Sequence, residues 1–531
     1  MARVRAFMLA HIDVWLCIGV MLVALWTFLQ YDLPDQPTPQ DTTYHIYAAQ
    51  QMLEGHAIYR DVAIIKAPLA DFMTTFALVV GRLLHLRDTI AARILFMLVA
   101  TLTIGVIYLT GRRLFQSRIV GIVATLIVAG NNFFGESAVS GPEPKTLIIL
   151  FSFAALILIA RRNWGWAGIC SALAALAWQP GAMVMAITAG AAILAPWLDK
   201  SSPNWRTRAN WLPFARSVGG MILPFAVLVA YLALNNALLP AWNATIGANV
   251  SHLNNRLEGA PLNEWMQYNA QQISRTMRTY CVAATEWWQL VVGGLGIFGI
   301  GLTALGAAIR SKRLPLNLER TPLLLYGIGF GIFTLIDFDF CPDLFPLLPV
   351  LAIGVGWMVW TVIRGAAQLV THFSTPRAAK IVTLVSSLVV ILVLTDVGVV
   401  DAMQYEIPGI QYRDQLNLAR RAAAYLHPKN QILSLGNAVI LVELHRDNAS
   451  KIVHLGEKSA RGVLQYEPGG MDAMIEALDQ NPPKLISLAR VTRQEWNADF
   501  LDWVQDNYHL VFDDKYNSVK LYLLNKKVTA D

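Results

Sequence analysis

Residues 14–29 read VWLCIGVMLVALWTFL, and residues 41–61, a short distance further on, read DTTYHIYAAQQMLEGHAIYRD. The first segment is apolar throughout and close to the roughly 20 residues that a helix needs to cross a bilayer. It has no small-x-small cleavage site before Pro34, so we interpret it as a retained span and not as a signal peptide. The second segment then places a carboxylate, aromatic rings and histidines close to a membrane surface.

Composition divides the chain of 531 residues into two parts. Only 15% of the residues are charged, against roughly 25% in an average soluble protein. Apolar runs of span length recur up to residue 400, whereas residues 401–531 contain 15 Lys and Arg, 17 Asp and Glu, and apolar runs of strand length. We therefore predict a transmembrane domain over residues 1–400, with a large outer loop at 31–91, and a soluble domain over residues 401–531.

The predicted fold is mostly α, a polytopic transmembrane helical bundle with a small C-terminal α/β soluble domain. About eleven spans are expected, at residues 14–30, 92–110, 119–135, 144–160, 164–178, 181–197, 217–239, 287–309, 321–337, 343–363 and 381–400. Residues 67–85 are also apolar, but a span there would place the later arginine-rich loops outside. We therefore interpret 67–85 as a juxtamembrane or re-entrant helix on the outer side.

The distribution of charge predicts the topology. With a cytoplasmic N-terminus, the inner loops hold 18 of the 27 basic residues of the first 400 but only three of the 19 acidic ones, which is a positive-inside pattern. Eleven spans then place residues 401–531 outside, which in a bacterium is the periplasm. We expect a multi-pass protein of the inner (plasma) membrane, and no nucleic-acid partner, because that would require a basic face on a soluble fold.

Cysteine and histidine spacing predicts no metal site. The four cysteines show no CxxC spacing, so neither a zinc site nor a disulfide framework is indicated, although Cys281 and Cys341 could face the same compartment. His45 and His56 lie eleven residues apart on a predicted helix, which is too far for an i,i+4 metal pair. We treat both histidines as non-ligands.

Four motifs follow one another with consistent sidedness. They are the segment from Asp41 to residues 66–69 (KAPL), residues 93–95 with 111–115 (RIL and GRRLF), residues 140–144 (SGPEP) and residues 343–349 (DLFPLLP). In order and sidedness they resemble the GT-C glycosyltransferases, polytopic enzymes that use polyprenyl-phosphate sugars and include protein O-mannosyltransferases and the lipid A aminoarabinose transferase. The chain departs from the family where Thr42 follows Asp41, and where Ile65 precedes Lys66 in place of a glutamate. A metal site that relied on that glutamate would lack a ligand here.

The resemblance implies an integral-membrane glycosyltransferase that moves a hexosyl or pentosyl group from a polyprenyl-phosphate donor to an acceptor hydroxyl on the outer face. Single displacement with inversion needs one base and cations beside the leaving phosphate, but no second carboxylic acid, unlike a glycosidase. Asp41 is the candidate base, with a helix N-cap as the alternative. Lys66 is the candidate phosphate contact, with a lysine that snorkels to the interface as the alternative.

Other outer residues are candidate substrate contacts. Tyr44 and Tyr59 could stack on a sugar, although anchoring at the membrane interface is the favoured alternative. Arg82 and Arg93, with Arg87, could bind the donor phosphate or lipid headgroups, and we favour headgroups for at least one of them.

Glu143 could orient the acceptor or share a divalent cation with Asp41, or it could be a solvated loop acid. A divalent cation thus stays open, and no cofactor is assigned. The chain has no GxGxxG followed by a helix in a βαβ unit and no Walker loop, which agrees with a lipid-linked donor.

The C-terminal part predicts a small α/β layer. We expect strands at residues 432–435, 439–444, 451–455 and 484–488, helices at 470–480 and 495–506, and a closing pair of strands at 510–512 and 519–524. It contains no recognisable catalytic motif. Such a domain could cover a cavity or help to select the acceptor, and structural capping is the alternative.

Two other functions compete with a transferase that takes a glycan, lipid or protein acceptor. A transporter or flippase of lipid-linked sugars would keep ionisable groups at the membrane midplane, and few are found there. A polysaccharide polymerase or ligase would rely on outer-loop arginines, for which Arg275 and Arg278 are candidates.

Overall fold

The structure, a computed structural model, describes residues 11–199, 207–251, 261–277, 287–311, 318–404, 411–455, 460–489, 491–514 and 518–525. Most of the first 404 residues are helical. In chain order the helices of eight or more residues are α1 (Ile12–Leu29), α2 (Gln40–Leu53), α3 (Leu69–Leu83), α4 (Asp88–Phe115), α5 (Arg118–Ala129), α6 (Asn132–Ser140), α7 (Pro144–Ala160), α8 (Trp164–Ala177), α9 (Ala182–Asp199), α10 (Arg208–Leu234), α11 (Leu262–Thr276), α12 (Trp287–Ser311), α13 (Thr321–Ile336), α14 (Leu348–Phe373) and α15 (Pro376–Met403).

The predicted polytopic bundle is confirmed. Six of the described helical segments are long and apolar enough to cross a membrane, and α5 with α6, bent by 67° at their junction, would make a seventh span. Four shorter apolar helices lie in α7, α8, α12 and α13. Each of the eleven predicted spans overlaps one of these elements, although the tenth begins at Leu348 and not at residue 343, because a 3₁₀ turn occupies Cys341–Leu344.

Helix α3 occupies the segment for which we predicted a juxtamembrane or re-entrant helix. Its 15 residues give a length of roughly 22 Å, whereas the hydrocarbon core is about 30 Å thick. Helix α8, which overlaps a predicted span, is shorter still at 14 residues, so length does not decide between a full span and a re-entrant helix, and our interpretation of α3 stays a prediction.

Ion pairs join the predicted inner loops to one another. Asp13, in the first turn of α1, lies 2.6 Å from Arg118 and 3.3 Å from Arg112. Arg113 lies 4.0 Å from Glu319, which precedes α13. These loops, far apart in sequence, thus lie at one end of the bundle, as the alternation of charge predicts.

The C-terminal part contains a four-stranded sheet in the order β1-β2-β4-β3. Strands β1 and β2 are parallel, and the other two pairings are antiparallel. The strands are β1 (Ile432–Leu435), β2 (Leu485–Ala489), β3 (Tyr508–Asp514) and β4 (Val519–Leu524), and the helices are α16 (Tyr412–Ala423), α17 (Val439–Leu444), α18 (Gly470–Gln480) and α19 (Ala498–Asn507).

Two of the predicted strands are wrong. Residues 439–444 form helix α17, and residues 451–455 form no strand. Both segments are short apolar runs that are largely buried. Periodicity cannot distinguish a strand from a helix in runs of this kind, because every face is apolar.

The outer loop and the C-terminal part share a hydrophobic core. Ile46 and Ala49 of α2 belong to the same buried cluster as Val439 and Leu441 of α17. Across this contact the Tyr47 hydroxyl accepts a hydrogen bond from the backbone N–H of Asn448 at 3.0 Å. We keep the division at residue 400 as a proposal only, because this core crosses it.

Helices α8 and α10 pack with their backbones in contact, which small residues permit within membranes. A Cβ on Gly220 would lie 2.1 Å from the Gly165 carbonyl oxygen, whereas a Cβ on the neighbouring Gly219 would meet nothing within 4 Å. Gly220 is therefore required by packing, and Gly219 is not.

We predict that Gly220→Ala destabilises the protein by about 1–3 kcal/mol, the usual cost of overpacking. The control, Gly219→Ala, should leave stability unchanged or slightly raised, because alanine restricts the unfolded chain. Thermal unfolding in detergent measures both variants, and equal melting temperatures would contradict the described packing of α8 on α10.

Candidate active site

Asp41 lies in the first turn of α2 with its carboxylate free of any capping role. The N-cap residue of α2 is Pro39, and no side chain caps the helix, so the N-cap alternative for Asp41 is excluded. An acid in a first turn is favoured by the positive end of the helix dipole. The side chain is densely surrounded by protein yet 58% exposed, which means that it lines a recess open to water.

Lys66 forms an ion pair with Asp41, with 2.5 Å between Nζ and Oδ2. The loop that carries Lys66 is fixed by two hydrogen bonds to backbone carbonyls: Tyr59 Oη donates to Lys66 at 2.8 Å, and Gln179 Nε2 donates to Ile65 at 2.7 Å. The Lys66 ammonium holds the pKa of the Asp41 carboxyl well below its usual range. Asp41 is therefore ionised throughout the neutral range.

Glu143 lies in the predicted second outer loop, the motif of residues 140–144, and caps the helix that follows it. Its carboxylate caps α7 by accepting a hydrogen bond from the Lys145 backbone N–H at 3.0 Å. The loop approaches α2 closely at Gly141, whose φ is +127° and where a Cβ would lie 2.6 Å from Thr42 Cγ2. Glycine is thus needed both for the backbone conformation and for the space.

A second cation, Lys145, lies beside the Asp41–Lys66 pair. Its Nζ is 3.0 Å from Asp343 Oδ1 and 5.3 Å from the centre of the Trp178 ring. Its positive charge also lowers the pKa of Asp41. The second outer loop and the turn at residues 337–343, the predicted late outer turn, therefore meet at Asp41, although they are about 200 residues apart in sequence.

The late outer turn owes its shape to Asp343. The Asp343 carboxylate accepts hydrogen bonds from the backbone N–H groups of Asp339 and Phe340 at 2.8 and 3.1 Å. Cys341 in the same turn is disulfide-bonded, whereas Cys281 lies outside the described residues.

His454, from the C-terminal part, completes the recess. Its ring packs edge-on against Tyr44, with 5.3 Å between ring centres, and Tyr44 Oη accepts a hydrogen bond from Gln40 at 3.0 Å. Burial lowers the pKa of His454, and the charge of Asp41 acts in the opposite direction. His454 is therefore close enough to Asp41 for their charges to interact, and it is neutral at pH 7.

Arg93 and Arg82 do not line this recess. Arg93 is fully buried; its ring-stacking partner is Tyr412, at 4.5 Å, and its guanidinium donates to Leu33, Pro34, Gln36 and Thr38. Arg93 thus holds the chain in place ahead of α2. Arg82 forms an ion pair of 3.0 Å with Asp88. We therefore do not propose either arginine as a contact to the sugar donor.

The two histidines of the outer loop differ in setting. His45 is buried, with Nδ1 2.7 Å from Asp71 Oδ1, and this contact joins α2 to α3. His56 lies beyond the end of α2 at Leu53, so its predicted place on that helix is wrong. In the described part of the chain, one group could hold a metal ion: Glu54, His56 and Asp447, all exposed.

Sequence reasoning missed Lys145 and His454. Lys145 is a basic residue at the predicted outer end of a span and so departs from the predicted positive-inside pattern, which is a signal that could have identified it. His454 has no such signal, because it reaches Asp41 only through the packing of the C-terminal part on the outer loop. The rival candidate Arg275 lies in α11, and Arg278 lies outside the described residues.

Comparison with known proteins gives structural matches only. No protein-family model and no curated protein sequence matches the chain. The structure of ArnT from Cupriavidus metallidurans bound to undecaprenyl phosphate has a TM-score of 0.52 at 14% identity, and the match covers 98% of this chain and 100% of that one. Its apo structure has a TM-score of 0.51 at 13% identity, with coverages of 98% and 99%.

A second protein gives a similar match. The archaeal oligosaccharyltransferase AglB from Archaeoglobus fulgidus, in complex with an inhibitory peptide and a dolichol-phosphate, has a TM-score of 0.54 at 11% identity, and the match covers 98% of this chain and 75% of that one. Identities this low establish the fold and not the activity. This multi-pass membrane protein has the fold of the GT-C glycosyltransferase superfamily.

Proposed function

We propose that the protein is an integral-membrane glycosyltransferase that moves a sugar from a polyprenyl-phosphate donor to an acceptor hydroxyl on the outer face of the membrane. The observation that supports this most strongly is the Asp41–Lys66 ion pair in a water-accessible recess, with Lys145 beside it. A carboxylate next to two ammonium groups offers both a base and a binding place for a phosphate.

The structural neighbours support a lipid-phosphate donor. The matched ArnT structure holds undecaprenyl phosphate, and the matched AglB structure holds a dolichol-phosphate. Both ligands are polyprenyl phosphates. This chain has the same fold and a cationic recess beside its apolar helices. It could therefore bind a ligand of that class with the lipid tail against the helices and the phosphate in the recess.

Donor binding would activate Asp41. Lys66 neutralises Asp41 and makes its carboxylate a weak base. The donor phosphate competes for Lys66, and once the ammonium turns towards the phosphate, the pKa of Asp41 rises towards its usual value. A base is most effective when its pKa approaches the working pH, so the enzyme gains its base only when the donor is present.

The transfer itself is a single displacement. The acceptor oxygen forms a bond to the anomeric carbon while the bond from that carbon to the phosphate oxygen breaks. The polyprenyl phosphate leaves with the bonding electrons, and Asp41 takes the hydroxyl proton, which it later gives to water. Lys66 and Lys145 stabilise the negative charge that grows on the leaving oxygen, and attack from the face opposite the phosphate inverts the anomeric centre.

The C-terminal part would supply one wall of the sugar site. His454 and Tyr44 form an edge-on pair next to Asp41, where a sugar ring could pack against them. Loss of this wall would misplace the sugar relative to Asp41, which lowers turnover because reaction needs close alignment. This gives the C-terminal part a positioning role beyond capping.

We place the recess and the C-terminal part on the periplasmic side of an inner membrane, with the N-terminus in the cytoplasm. The basic inner loops support this orientation. The disulfide at Cys341 supports it as well, because disulfides persist in oxidising compartments such as the periplasm.

Neutralising Asp41 should abolish most of the activity. We expect Asp41→Asn to lower turnover by about 10²–10⁴-fold, the usual contribution of a general base, without loss of folding. The measurement is the release of free polyprenyl phosphate from a panel of polyprenyl-phosphate sugars by purified protein in nanodiscs with envelope acceptors. Asp502→Asn is the control, because Asp502 is also an exposed acid paired with a cation, Arg493, at 2.6 Å; wild-type rates from both variants would remove Asp41 as the base.

Removing Lys66 should change the pH profile of kcat/KM. In the wild type the lowered pKa keeps Asp41 ionised, so the profile has no acidic limb down to about pH 4. In Lys66→Gln the pKa rises to at least the usual value of about 3.9, and activity falls as the pH drops through it. Lys66→Arg, which retains the charge, is the control, and identical profiles for all three proteins would contradict the role of Lys66.

Replacing His454 should affect turnover without unfolding the C-terminal part. We expect His454→Gln to lower kcat several-fold, because the wall beside Asp41 changes shape. His509→Gln is the control, since His509 is exposed on β3 and contacts Asn525 at 2.9 Å. Equal rates for the two variants would leave the C-terminal part with a capping role alone.

A further inference from the structure

A second recess lies between the membrane helices and the C-terminal part. It has a volume of about 300 Å³, and it is lined by the start of α4 and by residues of α16 and α17 with the following His445. None of its lining residues belongs to the Asp41 recess. Its size is at the lower end of the range for small-molecule sites and suits a phosphate group with part of its ester.

The two carboxylates of this recess already have partners. Asp88, which is only 6% exposed, forms an ion pair with Arg82 and accepts a hydrogen bond from Gln50 at 2.9 Å. Glu443 accepts hydrogen bonds from Tyr412 Oη at 2.7 Å and Thr89 Oγ1 at 2.8 Å. Arg82 therefore already neutralises Asp88, whereas Glu443, whose two partners are uncharged hydroxyls, keeps its negative charge. Against the two arginines that line the recess, this leaves one net positive charge for an anion.

The two arginines of the recess keep most of their donors. Arg87, at the N-cap of α4, is exposed and forms no ion pair with any residue that the structure describes. Arg420, in the last turn of α16, is exposed and donates to the Asn417 amide oxygen at 3.2 Å. Guanidinium groups bind phosphate in a bidentate manner, with both charge and geometry matched.

The two arginines belong to different parts of the molecule. Arg87 begins an apolar span, and Arg420 belongs to the C-terminal part. The recess lies where these two parts meet, so it is lined by two positive charges, one from each part. An anion between them would remove this repulsion and join the two parts. Arg87 also lies where a span meets the membrane surface, which is the level of lipid phosphates.

We propose that this recess is a second anion site, which binds a phosphate ester between Arg87 and Arg420 and so fixes the C-terminal part against the membrane helices. The site is separate from the proposed donor site. Gln50 donates a hydrogen bond to Asp88 of this recess, and it lies nine residues after Asp41, or roughly 14 Å along α2. The phosphate could belong to a lipid headgroup or to a soluble sugar phosphate. This inference does not depend on the transferase activity.

The test is ligand-dependent thermal unfolding of the full chain in nanodiscs of phosphatidylcholine. One arm adds inorganic phosphate or glucose 6-phosphate, against chloride at equal ionic strength, and the other replaces part of the phosphatidylcholine with phosphatidylglycerol. We expect at least one arm to raise the wild-type melting temperature, and the double variant Arg87→Gln, Arg420→Gln to weaken that binding at least about tenfold. The arm that responds identifies the source of the phosphate.

Arg493→Gln is the matched control, because Arg493 is an exposed arginine of the C-terminal part outside this recess. It should respond as the wild type does. The proposal is overturned if neither arm stabilises the wild type, or if the double variant and the wild type respond equally. Each single variant, Arg87→Gln or Arg420→Gln, should already weaken the response, so a folding defect of the double variant would not hide the result.

Discussion

Charge cannot remain unpaired in the hydrocarbon layer, and the arrangement of this molecule depends on that constraint. Ionisable groups collect at the two ends of the helical bundle, where they pair across loops distant in sequence. At one end Asp13 joins the basic turns, and at the other end Lys145 joins Asp343 beside the Asp41–Lys66 pair. The ion pairs at the end that carries Asp41 therefore also bring the charged groups of the recess together.

The end of the bundle that carries Asp41 differs from the opposite end because the C-terminal part packs over it. Helix α2 packs its apolar face into a core shared with the C-terminal part, so Asp41 is held on an element buried along most of its length. Arg93 fixes the chain ahead of α2, and Tyr59 fixes the loop that carries Lys66. A carboxylate and an ammonium so supported keep one geometry at low cost in conformational entropy, which is the condition for positioned catalysis.

Much of the fold could be predicted from the sequence, because span length and loop charge both act locally. The eleven apolar segments and the short helix α3 needed no knowledge of tertiary packing. Helix α17 could not be predicted, since a buried run of six residues suits a strand as well as a helix. Asp41 and Lys66 could be proposed as site residues from their positions in one outer loop, whereas His454, more than 400 residues from Asp41, reaches it only through a shared core that no local pattern describes.

The central claim is that Lys66 exchanges Asp41 for the donor phosphate. The most direct measurement is the equilibrium affinity for undecaprenyl phosphate, by native mass spectrometry of the wild type, Lys66→Gln and Asp41→Asn. The account predicts at least about tenfold weaker binding for Lys66→Gln, the loss of a charge-assisted hydrogen bond, and tighter binding for Asp41→Asn, which frees the ammonium. Unchanged affinity in both variants would contradict it.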